Sequence, residues 1–139
     1  MDFSLPDSSF GVRARRRLEE EIVAWLTTVS PKGTPQPSPI WFWWDGDSIL
    51  IYSKGGTSRT RNLAANEAAS INFDGNGTGG DIMIFEGRAE VSDDPPSTEN
   101  AAYQTKYLDR IVNMGMTPES FAEGYPIPLR FYPRRLRGH

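Results

Sequence analysis

The stretch QPSPIWFWWDGDSILIY, residues 36–52, decides the fold class of this chain. Its aromatic and β-branched residues are typical of strands, and the central Asp-Gly-Asp is a tight hairpin turn. The stretch therefore predicts one strand over residues 36–44 and a returning strand over residues 48–52. Because the alternating prolines of residues 35–39 cannot donate hydrogen bonds, we expect the first of these strands at a sheet edge or bulged.

The residue patterns on either side of this stretch predict a mainly β fold with flanking helices. Four further strands are expected over residues 23–29, 68–73, 81–91 (with a bend at Gly87) and 126–132. Helices are expected over residues 13–24, from 57 or 58 to about 65, and from 97 or 98 to about 112. Six short, mostly antiparallel strands favour a small closed or partly open barrel. The length of 139 residues favours a single domain over residues 1–139, with residues 1–12 as a flexible arm.

Composition excludes several classes of protein. A net charge of −3 argues against a protein devoted to nucleic acid. We expect a cytoplasmic protein without a membrane partner, because no apolar run could cross a bilayer and residues 1–12 lack the layout of a signal peptide. The chain has no cysteine, and its one histidine is the last residue, His139. These absences predict no metal site, no cysteine nucleophile and no internal histidine base, so a bound cofactor would carry the reactive chemistry and the catalytic residues stay unassigned.

The loop that follows the second strand is a candidate phosphate site. Its order is strand, glycine turn, hydroxyl residues, arginine and helix. Thr57, Ser58 and the amides of the first helical turn can point at an anion, and Arg59 can add a forked contact. Lys54 and Arg61 add positive charge. An ordinary capped helix with surface arginines explains the same pattern equally well.

The edge strand itself is a candidate wall for a flat redox ring. Such a ring needs polar backbone groups beside its heteroatoms and an apolar surface behind it. A proline-spaced strand is expected to present unpaired amides at Ser38, Ile40 and Trp41. Core packing together with a subunit interface is the alternative, and it is the better explanation for each of residues 42–44.

The glycine-rich run GNGTGG, residues 75–80, matches the dinucleotide pattern G-x-G-x-x-G. That pattern needs a helix after it, so that the helix N-terminus meets a pyrophosphate. Here a strand is predicted to follow. A hairpin loop therefore explains these glycines better.

Several segments in order resemble one known family. They are TTV at 27–29, GTPQPSPIWF at 33–42, YS at 52–53, RTRNL at 59–63 and LRFYPRRLRG at 129–138. Together they are similar to the pyridoxamine 5′-phosphate oxidase-like superfamily, and most similar to a branch of short actinobacterial proteins associated with the deazaflavin coenzyme F420. Arg59 stands where that family often has lysine. The arginines near the C-terminus lack the family's spacing with a histidine, so oxidation of vitamin B6 is not expected.

The resemblance implies a six-stranded Greek-key split barrel of the FMN-binding type, paired as a homodimer with two cofactor clefts at the interface. It assigns the ring to the second strand and the phosphate to the loop and helix that follow the third strand. The ring contacts would be Pro37, Ser38, Pro39, Ile40 and Trp41. The phosphate contacts would be Tyr52, Ser53, Ser58 and Arg59. Lys54, Arg61 and the arginine cluster of residues 13–17 are candidates to follow the polyanionic tail of coenzyme F420.

The resemblance predicts a reductase that passes a hydride from reduced coenzyme F420 to a small organic acceptor. The proton would come from solvent, from Tyr52 or from another hydroxyl. An FMN-binding oxidase or reductase of the same fold is the first alternative. A non-enzymatic barrel that stacks single-stranded nucleic acid on Trp41, Trp43 and Trp44 is the second, which the acidic balance disfavours.

Overall fold

A seven-stranded sheet organises the chain, whose computed structural model describes residues 3–139. The strands are β1 Ala24–Val29, β2 Pro35–Ile40, β3 Trp43–Trp44, β4 Ile49–Ser53, β5 Ala68–Asn72, β6 Met83–Val91 and β7 Ile127–Gly138. The helices are α1 Ser9–Glu20, α2 Ser58–Ala65, α3 Ala101–Asn113 and α4 Pro118–Gly124, with a 3₁₀ turn at Ser97–Glu99. The strand order is β2-β1-β5-β6-β7-β4-β3, and every pairing is antiparallel.

The strand predicted over residues 36–44 is in fact two strands, so the prediction of six strands was wrong by one. β2 and β3 lie at opposite edges of the sheet, although only Trp41 and Phe42 connect them. We call these two residues the seam. The sheet must curl to bring its edges together there, which makes the barrel split. Side chains of α3 replace the missing ladder at Phe42: its N–H donates to the Tyr107 hydroxyl (2.8 Å) and its carbonyl accepts from Lys106 Nζ (2.9 Å).

The hydrophobic core has two parts, on the two sides of β4. The barrel interior holds fully buried side chains such as Leu26, Phe85 and Phe131, each stabilising the fold by about 1.5–3 kcal/mol. The second part lies under α3 and α4 and includes Leu50, Tyr52, Tyr103, Tyr107, Ile111 and Phe121. All five residues of β4 are consequently buried, which accounts for its continuous apolar run in the sequence.

At Gly87, where a bend was predicted, the register of β6 with β7 shifts, because Arg134 of β7 has no partner in β6; the bend itself stays a prediction. A Cβ atom at this position would lie 2.1 Å from the carbonyl oxygen of Tyr132, so only glycine fits without movement. The hairpin loop predicted for residues 75–80 is confirmed, because β5 and β6 on either side of it pair antiparallel. β7 runs past its predicted end at residue 132, since Gly138 still pairs with Met83.

The first helix begins earlier than predicted because Ser8 caps it, its side chain accepting from the Gly11 amide. In the segment predicted to be a flexible arm, Phe3 and Leu5 pack against the barrel core. Residues 1–2 lie outside the described residues, and the mobility of the arm stays a prediction. In residues 3–139, no helix has the length and apolar character that crossing a bilayer requires.

One arginine of the 13–17 cluster has a structural role. Arg17 is buried and donates to the carbonyls of Asp74 (2.6 Å) and Asp81 (2.9 Å). Its guanidinium also pairs with the Asp81 carboxylate at 3.1 Å. These contacts fasten α1 to the hairpin loop, so this residue does not belong to a solvated face.

Candidate functional site

Two cavities meet at Arg59, in the first turn of α2. The aromatic cavity, about 280 Å³, lies between the seam, β4 and the helices α3 and α4. Its walls include Pro39, Ile40, Trp41, Tyr52, Arg59, Tyr103, Phe121 and Tyr125. The polar groove, also about 280 Å³, is lined by Thr28, Gln36, Pro37, Ser38, Thr57, Ser58 and Arg59. One arginine therefore belongs to an apolar chamber and to a polar one.

Stacked rings build the aromatic cavity. Trp41 of the seam lies between Tyr107 of α3 and Phe121 of α4, with ring centroids 4.6 and 5.6 Å away. Phe121 in turn stacks on Tyr125 at 4.6 Å. Offset stacking of this kind stabilises each pair by roughly 0.5–1.5 kcal/mol beyond burial. Trp41 is therefore held by aromatic neighbours from both α3 and α4.

Two tyrosines of this cavity, Tyr52 and Tyr103, are poor proton donors. The Tyr52 hydroxyl already donates to the Pro95 carbonyl at 2.9 Å, and burial followed by the nearby Asp94 carboxylate raises its pKa. Tyr103 is fully buried, and its hydroxyl has no hydrogen-bond partner in the described part of the chain. Burial raises the pKa of Tyr103 as well. The cavity is thus suited to contact a flat apolar group rather than to deliver a proton.

The polar groove is a candidate site for an anion. Arg59 Nη2 donates to Ser38 Oγ at 3.0 Å, and Nη1 lies 3.5 Å from Ser53 Oγ. Burial lowers the pKa of Arg59, yet a guanidinium remains charged in proteins. The helix begins here as predicted, with Thr57 as its N-cap. None of the residues that line the groove is acidic, so its net charge is positive.

Asn62 lies beneath this groove and was not singled out from the sequence. Its side-chain amide donates to Thr28 Oγ1 at 3.0 Å and to Gln36 Oε1 at 2.7 Å. Thr28 was not predicted to belong to the site, whereas Gln36 begins the segment, residues 36–41, that was predicted as a wall for the ring. The alternation of β2 was the available signal, because Gln36 lies two residues before Ser38 and so shares its side of the strand.

The predicted site residues divide between the two cavities. Pro39, Ile40, Trp41 and Tyr52 line the aromatic cavity, and Pro37, Ser38 and Ser58 line the polar groove; Arg59 lines both. Ser53 is buried beside Arg59. Lys54 lines neither cavity: it is exposed, with its Nζ 5.4 Å from the centre of the Tyr125 ring. Cofactor binding by these residues stays a prediction.

The expected unpaired amides of β2 need correction. β2 is an edge strand, as predicted, and pairs with β1 throughout its length. Because the alternating prolines have no N–H, the ladder donors to β1 must come from Gln36, Ser38 and Ile40. The amides of Ser38 and Ile40 therefore point at β1, and the backbone groups at the free edge of β2 are the carbonyls of the prolines. Trp41 lies beyond β2, and its unpaired amide stays a prediction.

The chain is similar to known proteins over most of its length. The pyridoxamine 5′-phosphate oxidase family model matches residues 12–129. Among solved structures, the chain is similar to an F420 reductase, with 24% identity over 88% of this chain and 94% of that one and a TM-score of 0.68. A conserved hypothetical protein of Mycobacterium tuberculosis shares 20% identity over 99% and 88% of the two chains, with a TM-score of 0.71.

The same fold also occurs in a protein of another kind. The heme-storage protein HutZ of Vibrio cholerae has 15% identity over 98% of this chain and 95% of its own, with a TM-score of 0.64. No curated protein matches the sequence. Identities this low show the split-barrel fold alone, whereas the family match spans well over half of the chain. The chain therefore belongs to the pyridoxamine 5′-phosphate oxidase family.

Proposed function

We propose that this protein is a reductase that uses coenzyme F420 and reduces a small organic acceptor by hydride transfer. The observation that carries the proposal is the junction of an aromatic cavity with an acid-free groove at Arg59. A cofactor made of a flat ring and a phosphate has the two halves that such a junction would hold. The likeness to an F420 reductase supports the deazaflavin as that cofactor.

The residues that line the two cavities fit a cofactor with a flat ring and a phosphate. The two cavities, each about 280 Å³, together fall within the roughly 300–1,000 Å³ usual for ligand sites. Pro39, Ile40 and Trp41 would contact the ring. Ser38, Ser58 and Arg59 would hold the phosphate, because hydroxyls and a guanidinium are all hydrogen-bond donors that suit its charge.

The chain's own contribution would be to bind, orient and exclude water. When bound, reduced coenzyme F420 supplies the hydride. Holding an acceptor against the ring in the aromatic cavity can lower a barrier by about 7–11 kcal/mol without a side-chain acid. The Tyr52 hydroxyl is committed to Pro95, which favours solvent as the source of the proton.

An FMN-dependent oxidase or reductase is the second candidate. The family match itself supports it, because that match is to pyridoxamine 5′-phosphate oxidase. A single arginine with neighbouring hydroxyls also suits the terminal phosphate of FMN. Exposed Lys54 and Arg61 favour the first candidate instead, since the tail of coenzyme F420 carries further negative charge beyond the phosphate.

Side-by-side titration of FMN and coenzyme F420 into cofactor-free protein tests the proposal. We expect both to bind, coenzyme F420 more tightly, and we expect the loaded protein to reduce an activated alkene or quinone. Tighter binding of FMN, with a yellow protein that reacts with oxygen, would establish the second candidate. Binding of neither compound would overturn the proposal altogether.

A further inference from the structure

Side chains that line the polar groove are hydrogen-bonded in a regular way to Asn62 and Arg59. Three side-chain oxygens on its wall each accept a hydrogen bond from inside the protein. Thr28 Oγ1 and Gln36 Oε1 accept from Asn62 Nδ2, at 3.0 and 2.7 Å. Ser38 Oγ accepts from Arg59 Nη2 at 3.0 Å.

This pattern determines what the groove can offer to a ligand. An oxygen that accepts from within leaves its own hydroxyl hydrogen, or the amide NH₂ beside it, free to point outward. Thr28 and Ser38 are thus left with O–H groups and Gln36 with an N–H₂ group. All three are donors, and no acidic side chain lines the groove.

Asn62 is the residue that imposes this orientation on two of the three. Its side chain is 4% exposed and lies on α2 behind the groove, whereas Gln36 is exposed. A buried, doubly bonded amide has little freedom to turn, while an exposed glutamine on an edge strand could present its oxygen or its nitrogen equally well. The buried residue therefore sets the orientation of the exposed one.

We propose that Asn62 is a positioning residue for the phosphate of the cofactor. By donating to Thr28 Oγ1 and Gln36 Oε1, it holds their oxygens inward and turns their own donors, an O–H and an N–H₂ group, toward the groove. Such a wall favours a phosphate ester over an uncharged alcohol, because every contact can be a charge-assisted hydrogen bond. The inference rests on the proposed function for the location of the phosphate.

The test measures preference for phosphate rather than affinity alone. The probes are FMN against riboflavin, and coenzyme F420 against its phosphate-free deazariboflavin. Thr28→Val and Gln36→Leu each remove an outward donor without adding charge. Each should reduce the preference for the phosphorylated partner by about tenfold, the effect of one hydrogen bond to a charged group, and leave binding of the phosphate-free partner unchanged.

Asn62→Leu tests the positioning role directly. It should reduce the preference severalfold on its own and cause no further loss when added to the Thr28→Val, Gln36→Leu pair, because Asn62 acts through those two residues. Thr105→Val removes a hydroxyl from the exposed face of α3 and should keep the wild-type preference. Thermal unfolding of every variant checks that it folds.

The outcomes separate this inference from the proposed function. If the wild type prefers the phosphorylated cofactors but Thr28→Val and Gln36→Leu do not change that preference, the inference is wrong and the function stands. If Asn62→Leu loses affinity equally for the phosphorylated and the phosphate-free compound, Asn62 has a structural role only. If the wild type binds no cofactor, the function fails, and inorganic phosphate becomes the probe. Phosphate should then raise the unfolding temperature of the wild type more than that of Gln36→Leu; an equal rise in both would overturn the inference.

Discussion

Arg59 connects the two halves of the candidate site, so it is the residue whose removal should matter most. Arg59→Ala should weaken binding of the phosphorylated cofactor by ~1.5–3 kcal/mol, the usual value of a hydrogen bond to a charged group. Arg59→Lys should lose less, because lysine keeps the charge but not the fork that spans Ser38 and Ser53.

Isothermal titration of the three proteins would measure these differences. Arg110→Ala, which removes an exposed arginine from α3, is the matched control and should bind like the wild type. An unchanged dissociation constant for Arg59→Ala would place the phosphate elsewhere.

Lys106 gives a prediction about pH. Burial lowers its pKa to about 8, whereas an unfolded chain has a lysine pKa of about 10.4. Between these values the unfolded chain binds more protons than the folded one, so the contribution of Lys106 to stability rises with pH. Below about pH 8 the penalty for burying the charge is fully present.

Thermal unfolding of wild type and Lys106→Met between pH 7 and 10 would measure how the contribution of Lys106 to stability changes with pH. The wild type should gain stability relative to the variant across that range. Subtracting the two curves cancels the titration of the tyrosines common to both. Curves that run parallel would show that the ammonium group is not penalised by its position against Phe42.

At the scale of elements, Arg130 ties β7 to the segment that follows β6. Its guanidinium donates to both carboxylate oxygens of Asp94, at 2.7 and 3.0 Å, and to Asp45 at 2.7 Å. The hydrogen bond from Arg130 is the main reason that the pKa of Asp94 lies below its usual value. The pair therefore stabilises the fold above about pH 3.9, and this stability is lost as the pH falls through the lowered pKa of Asp94.

Asp94→Asn should consequently reduce the free energy of unfolding by about 1–3 kcal/mol at pH 7. The difference from wild type should shrink at pH 3 and below. Urea unfolding at the two pH values measures both effects. Asp93→Asn, at an exposed neighbouring position, should behave as wild type. A difference that is the same at both pH values would contradict the role of the ion pair.

Gly87 gives a second prediction about how the strands pair. Gly87→Ala should destabilise the protein by about 1–3 kcal/mol, because the added methyl group meets the Tyr132 carbonyl beside the point where β7 bulges at Arg134. Gly124→Ala is the control, since the nearest atom to its new Cβ would be Met116 Cε at 3.8 Å. Chemical denaturation compares them, and equal stability of the two variants would mean that β6 can straighten at little cost.

For the molecule as a whole, we propose a homodimer formed through the outward face of β2, β1 and β5. Trp25, Thr27 and Val29 lie there, only half-buried in the single chain, beside exposed Pro37. A patch of this kind without a charge at its centre is typical of a subunit interface.

Thr27→Arg places a charge at the middle of this face, since Thr27 pairs with both Pro37 and Ser70. Light scattering should give twice the chain mass for the wild type and the single chain mass for the variant. Arg134→Glu, at an exposed position on β7, should remain a dimer. A monomeric wild type would refute the proposal.

The sequence by itself determined the β-rich fold, the hairpin at its centre, the edge position of β2 and the irregularity at Gly87. It also singled out Ser38, Ser58 and Arg59, which line the polar groove. These features depend on local rules: alternation, turn residues, the missing N–H of proline and the capping of α2 by Thr57. Such rules act over a few residues, so they can be recognised along the chain.

Only the tertiary structure decided the division of residues 36–44 at the seam, the burial of Arg17 and the exclusion of Lys54 from both cavities. It alone brought Asn62 to Thr28 and Gln36, which lie 34 and 26 residues away in the chain. The stack of Trp41 between Tyr107 and Phe121 has the same origin. These contacts follow from how far the sheet curls and how α3 and α4 cover it, and that curvature depends on the packing of the whole core.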